Sequence, residues 1–238
     1  MAIIDKPSDY FNTSAVWSGD DSEHTISGIE HQPDFTWIKG VNIGTQHYLF
    51  DSVRGATKIL ISNGTNAEFT VAQTLKSWNS DGFVLGTSDD VNGSGRTYIA
   101  WNWKESATAG FDILTYEGSG SAQTISHNLG VKPDMIIVKN IDSSDPPFNW
   151  RVYHSSLGAG VALKLNATDA VSDDPGYWRD TEPTSSVFSV KDSGETNNSG
   201  QTYIAYLFAG KQGYSKFGSY VGNGNADGTF VYTGFKPA

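Results

Sequence analysis

A chain of 238 residues suits one large β domain or two domains of about 100 residues each, and the absence of cysteine excludes disulfide frameworks, thiolate zinc sites, iron–sulfur clusters and cysteine nucleophiles. Acidic residues (26) outnumber basic ones (16), and the net charge of −10 argues against binding nucleic acid or anionic lipid through counterion release. A charged fraction of only 18%, with Trp 7, Tyr 11, Phe 12 and Gly 26, is incompatible with intrinsic disorder and points to a glycine-punctuated β protein.

The opening Met1-Ala2-Ile3-Ile4-Asp5-Lys6-Pro7 has a charge and a proline where a signal peptide needs an apolar run. No window reaches the roughly 20 apolar residues of a membrane helix. A soluble chain made in a cytoplasm, without membrane insertion, is expected. From Trp17 the sequence repeats itself. Thr25-Ile26-Ser27-Gly28 leads to Gln32-Pro33-Asp34-Phe35-Thr36-Trp37-Ile38-Lys39, and Thr124-Ile125-Ser126-His127 leads to Lys132-Pro133-Asp134-Met135-Ile136-Ile137-Val138-Lys139. Leu49-Phe50-Asp51-Ser52 answers Val152-Tyr153-His154-Ser155, and Gly95-Arg96-Thr97-Tyr98-Ile99-Ala100 answers Gly200-Gln201-Thr202-Tyr203-Ile204-Ala205. Matched blocks in the same order mark a duplicated unit.

Asn66 to Trp78, with Val71, Leu75 and Trp78 at helical spacing, is the best helix candidate, although Thr70, Val71 and Thr74 are poor helix formers. Thr97–Trp103 alternates, with Ile99, Trp101 and Trp103 on one face and Tyr98, Ala100 and Asn102 on the other. Tyr203–Phe208 is apolar on both faces and reads as a strand buried on both sides. A third copy starts near the end: Tyr220-Val221-Gly222 matches Trp17-Ser18-Gly19 and Tyr116-Glu117-Gly118, and Thr229–Pro237 imitates the opening of each unit. The expected architecture is all-β: an N-terminal extension (1–16) and two tandem β-sandwich or jelly-roll-like repeats of about 100 residues (17–115 and 116–219). Residues 220–238 are then either a C-terminal hairpin whose strands close the second sheet or the start of a third repeat.

Catalytic constellations are weak. The five histidines have neither helical metal spacing nor an HExxH context, and His154 next to Ser155 and Ser156 corresponds to Asp51 in the first copy, which favours a polar residue at a strand end. The pairs Asp20-Asp21, Asp89-Asp90 and Asp173-Asp174 read as solvated turns, with calcium as the lesser option because no EF-hand loop is present. Glu30, Glu68, Glu105, Glu117, Glu182 and Glu195 could serve a glycosidase, but no spacing pairs them, and Asp34 and Asp134 sit where a turn enters a strand. No metal site and no cofactor is expected. The segments 143–150 and 172–180 stand out because the first copy lacks clear counterparts. Loops on a rigid scaffold commonly carry binding residues, so Trp150, Asp173, Asp174, Tyr177, Trp178 and Arg179 are candidate glycan-binding residues. The competing reading, of equal weight, is that these aromatics pin long loops or fill a subunit interface.

The blocks Leu49–Lys58, Ser80-Asp81-Gly82-Phe83-Val84-Leu85-Gly86, Gly213–Tyr220 and Phe230–Pro237 together resemble a repeat domain of unknown function common in tail-fibre-like and other structural proteins of tailed bacteriophages, many of them marine. That resemblance spans nearly the whole chain from Trp17 and supplies no catalytic residue to carry over. It implies a non-enzymatic virion protein, assembled in the host cytoplasm. A tail fibre or tail-tip adhesin is the leading expectation, presenting loops to a host-surface glycan or protein. A homo-oligomer follows, most simply a trimer, in contact with other virion proteins. A head decoration or head fibre, a polysaccharide depolymerase and a free carbohydrate-binding module are the alternatives.

Overall fold

A computed structural model describes residues 4–142 and 147–237. The first half forms β1 (Phe11–Ser18), β2 (His24–Ile26), β3 (Phe35–Gly40), β4 (His47–Asp51), β5 (Lys58–Ile61), β6 (Phe69–Thr70), β7 (Leu75–Asn79), β8 (Gly82–Leu85), the single turn of helix α1 (Asp89–Asn92) and β9 (Thr97–Trp103). The second half forms β10 (Phe111–Glu117), β11 (Gln123–Ser126), β12 (Met135–Asn140), β13 (Arg151–His154), β14 (Val161–Lys164), β15 (Ser172–Asp173), β16 (Val187–Val190), α2 (Gly194–Asn197) and β17 (Thr202–Phe208). The fold is nearly all-β, and the strand pairs are antiparallel. One six-stranded sheet runs β1-β9-β3-β4-β5-β6 and the other β10-β17-β12-β13-β14-β15; β2-β8-β7 and β11-β16 make two smaller sheets.

Strand alternation sends successive side chains to opposite faces, and here both faces of each large sheet are apolar. Ile59 and Ile61 of β5 join Trp17, Phe50, Tyr98 and the small-sheet residues Phe83 and Leu85 in one core, while Leu60 faces away from it. Tyr203, Ala205 and Leu207 of β17 enter a second core with Ile125 and Phe188. Ile204 and Tyr206 instead join Phe35, Leu49, Phe111 and Trp150 in a third core, between the two large sheets. The large sheets therefore lie back to back, each covered by a small sheet on its other side. This arrangement accounts for the doubly apolar Tyr203–Phe208 run.

Polar contacts fix the central layer. Asp51, at the end of β4, is wholly buried and accepts from the Arg54 backbone at 2.8 Å, from Arg54 Nε at 2.6 Å and from the Tyr206 hydroxyl of the opposite sheet at 2.7 Å. Arg54, whose side chain is 1% exposed, also donates to the Leu49 carbonyl and to Glu68. Trp150 Nε1 donates to the Ile61 carbonyl at 2.9 Å, and the Glu68 amide donates to the Ile141 carbonyl at 2.9 Å.

Two expectations are corrected. Asn66–Trp78 is not helical: it forms β6, a turn closed by Thr74 N to Val71 O, and β7. The β-branched residues at 70, 71 and 74 favour the strand–turn–strand path over helix. Residues 218–237 form no strand among the described residues, so no closing hairpin is added to a sheet. The segments that Tyr220-Val221-Gly222 copies belong to β1 and β10, which pair with β9 and β17, and each of those two strands already has a neighbour on both sides.

Asp51→Ala strips a buried guanidinium of its main partner, and loss of one member of a buried pair costs about 3–5 kcal/mol. Urea unfolding at neutral pH is expected to show a loss in that range for Asp51→Ala and a smaller one, about 1–2 kcal/mol, for Tyr206→Phe.

Candidate functional site

The aromatics singled out as a sugar platform are core residues. Trp150 is 0% exposed in the central layer, its ring 6.4 Å from that of Tyr206. Trp178 is 2% exposed and meets Tyr153 edge-on at 6.1 Å. Tyr177 is 8% exposed and lies under the Arg151 guanidinium, 4.1 Å from its carbon. A ring enclosed on both faces cannot stack on a sugar, so the binding role is withdrawn for these three, and the competing reading of pinned loops describes them. Ser143, Ser144, Asp145 and Pro146 of the other loop lie outside the described residues. Asp173 belongs to β15 and is exposed; Asp174 accepts from the Gly176 amide at 2.8 Å and shapes a turn. Arg179 and Asp180 are exposed, both with positive φ, at the crest of the loop that Tyr177 and Trp178 anchor.

Several other acids and one histidine serve local geometry. Asp34 accepts from the Glu105 amide at 2.8 Å, and Asp134 accepts from the Gly210 amide at 2.7 Å and from the Ser155 hydroxyl at 3.0 Å. Asp21 receives the Ser94 amide, Asp90 the Tyr48 hydroxyl, and His154 Nδ1 the Ser156 amide. Among the described residues no group of three or more histidines and acids is arranged to hold a metal.

One carboxyl pair was not legible from spacing. Glu105 sits in the connection between β9 and β10, and its side chain is hydrogen-bonded to that of Asp112, which is buried and also receives the Asn128 amide at 2.6 Å. Desolvation first, then the hydrogen bond to Asp112 and the charges of Asp112 and Asp34, raise the Glu105 pKa to about 7. His127 lies near Asp112, and His31 lies near both Asp34 and Lys104. Two carboxyls that share a proton leave no room between them for a glycosidic bond, which needs roughly 5–9 Å. The pair fastens the connection between the two large sheets.

A cleft of about 230 Å³ opens at the rim of the central layer, walled by Trp37, Trp103, Met135, Phe208 and Phe217, among others. It is smaller than the ~300 Å³ at which ligand pockets usually begin. Beyond Phe217 the chain forms an arm. Lys216 Nζ donates to the Tyr232 carbonyl at 2.7 Å and Thr229 Oγ1 to the Val221 carbonyl at 2.6 Å, laying two antiparallel segments side by side. Tyr220 is 69% exposed and Phe230 86%, with Val221, Val231 and Tyr232 also exposed. Contiguous apolar side chains left in water mark contact surfaces, and this arm is the candidate functional site.

Two outcomes follow. Trp178→Ala empties a closed part of the second core, and urea unfolding is expected to register a loss of about 3–5 kcal/mol. For Glu105 the folded state keeps a proton that the unfolded chain releases near pH 4.3, so stability falls as pH rises from about 4.5 through about 7. Glu105→Gln keeps a donor to Asp112 without ionising. Thermal melts should find the variant more stable than the parent at pH 8 and level with it near pH 4; parallel curves for the two proteins would remove the shared proton.

No curated protein and no solved structure matches the chain. Residues 6–238 match the model of a domain of unknown function, DUF7483, and the chain belongs to that family.

Proposed function

We propose that this chain is a non-enzymatic structural protein of a phage particle, a tail fibre or tail-tip adhesin that self-associates, built from two tandem β-sandwich units. The observation that carries the reading is the contrast between interior and arm. Asp51, Arg54, Asp90, Asp112, Asp134 and Glu195 all bind neighbouring protein groups, so the polar interior braces sheets. The large apolar residues of the arm, by contrast, face water. A rigid stack of sheets with an unpartnered apolar extension suits a building block that joins others. The sequence resemblance to tail-fibre-like proteins supports the same reading, and a head decoration or head fibre would use the same physics at another place on the particle.

Receptor contact on this reading falls to exposed charged groups at loop crests, Asp173, Arg179 and Asp180, rather than to the buried rings. Their donors and acceptors suit the hydroxyls of a host-surface glycan. The depolymerase reading loses its best pair of acids, because Glu105 and Asp112 bond to each other. Affinity electrophoresis of the intact chain through gels containing host-type polysaccharides, with a parallel assay for new reducing ends, is the test. Retardation without cleavage is the expected result. New reducing ends would overturn the non-enzymatic reading, and unretarded migration would overturn the adhesin in favour of a scaffold or decoration protein.

A further inference from the structure

We propose that residues 216–222 are a donor strand that pairs with β9 of a second copy of this chain, in place of that copy's own β1. The inference rests on the structural reading above for self-association alone.

The same plug and socket occur twice in the fold. Trp17 of β1 stacks on Tyr98 of β9 at 5.6 Å and 17°, and Tyr116 of β10 stacks on Tyr203 of β17 at 5.1 Å and 15°. Each ring also donates to a carbonyl of the short helix beside the socket, Trp17 Nε1 to Val91 at 3.0 Å and the Tyr116 hydroxyl to Thr196 at 2.5 Å. Two residues later comes a glycine whose amide donates across at 2.8 Å, Gly19 to Arg96 and Gly118 to Gln201. Neither glycine tolerates a side chain: a Cβ on Gly19 would lie 2.2 Å from the Gly93 carbonyl oxygen, and one on Gly118 2.1 Å from that of Asn198. Tyr220-Val221-Gly222 repeats the aromatic and the glycine at the same spacing. Here the ring is exposed, and a Cβ on Gly222 would meet nothing within 4 Å. The triplet carries the imprint of a socket that its own surroundings do not supply.

The approach to the triplet is also repeated. Gly110 and Phe111 amides close a turn on Ser106 O before β10, and Tyr214 and Ser215 amides close one on Lys211 O before residue 216. Of the two sockets, β9 is the easier to vacate. β1 is bulged between Asn12 and Ala15, whereas β10 holds β17 in unbroken register over all seven residues. Exchange of like strands remakes most of the contacts it breaks. Donor and socket lie at different places on the chain, so the contact is head-to-tail and propagates.

The register sets the test. Ser18 lies opposite Thr97 and Glu117 opposite Thr202, which places Val221 opposite Thr97. The chain has no cysteine of its own, so the 238-residue chain carrying Val221→Cys and Thr97→Cys can be oxidised and run on a non-reducing gel, with light scattering on the unmodified chain. Covalent dimers and longer species, increasing with protein concentration, are expected. Adding Gly222→Val should leave the thermal midpoint unchanged, since the site is open in the single chain, yet abolish both the cross-link and the association. An oligomer without the cross-link overturns the donor strand and leaves the structural-protein reading standing. A monomer at every concentration overturns both. A cross-link confined to single chains means that the arm folds onto its own β9, which overturns exchange between copies.

Discussion

Everything in this structure follows from two antiparallel sheets whose strands are apolar on both faces. Such a sheet cannot leave either side in water, because each buried Val, Leu, Ile or Phe side chain is worth about 1.5–3 kcal/mol relative to exposure. The first face of each is covered locally, by the short strands β2, β7 and β8 in one half and by β11 and β16 in the other. The second face has only the other large sheet to meet. Back-to-back contact is thus imposed by Leu49, Leu60, Ile137, Val152 and Ile204, and it fixes where every loop emerges.

The contact is between unlike surfaces, and this explains most of the differences between the halves. Where β4 ends in Asp51, buried against Tyr206 of the opposite sheet, the corresponding position in β13 is His154, near the surface. Trp150, before β13, reaches across to the Ile61 carbonyl, and the fully buried Lys139 donates to the carbonyl of Thr65. Burial lowers the Lys139 pKa to about 8, against a smaller opposing pull from Glu195. A buried amine of this kind holds its place through carbonyl partners rather than through an acid. Departures from the repeat therefore record what each half touches in the other half, and they resemble ligand loops only when the second half is viewed alone.

The all-β character, the turns and the alternation of Thr97–Trp103 were legible because they depend on period and on local turn chemistry. The two-sided burial of Tyr203–Phe208 was legible too, from composition. What covers its second face was not, since a run of apolar residues states that it is buried and not by what. The same gap misplaced Trp150, Tyr177 and Trp178, whose loop-like neighbours Asp, Pro and Gly signal a surface path for the backbone while the rings turn inward. The Glu105–Asp112 pair had no signal at all, because it joins residues flanking a turn with no periodic relation. Residues 220–237 read as strands by composition, yet the described ones form none; hydrogen bonding between strands is a property of two segments, and the sequence pattern describes one.

The loop 172–180 shows how one substitution in a core can call for a whole segment. In the first half Tyr48 of β4 donates to Asp90 of α1 at 2.6 Å. At the matching place in β13 stands Arg151, which pairs with Glu195 in α2. Both pairs tie the large sheet to its short helix, yet a guanidinium brings a full charge and several donors into a space that elsewhere holds a phenol. It must be paired, and its flat face must be covered. Glu195, which also receives the Asn149 side chain at 2.7 Å, meets the first need. Tyr177 meets the second by lying over the guanidinium, and Trp178 beside it wedges against Tyr153 to hold the segment down. The first half keeps the tyrosine and has no such loop. The aromatics that looked like a binding platform are thus the lid that a buried arginine requires.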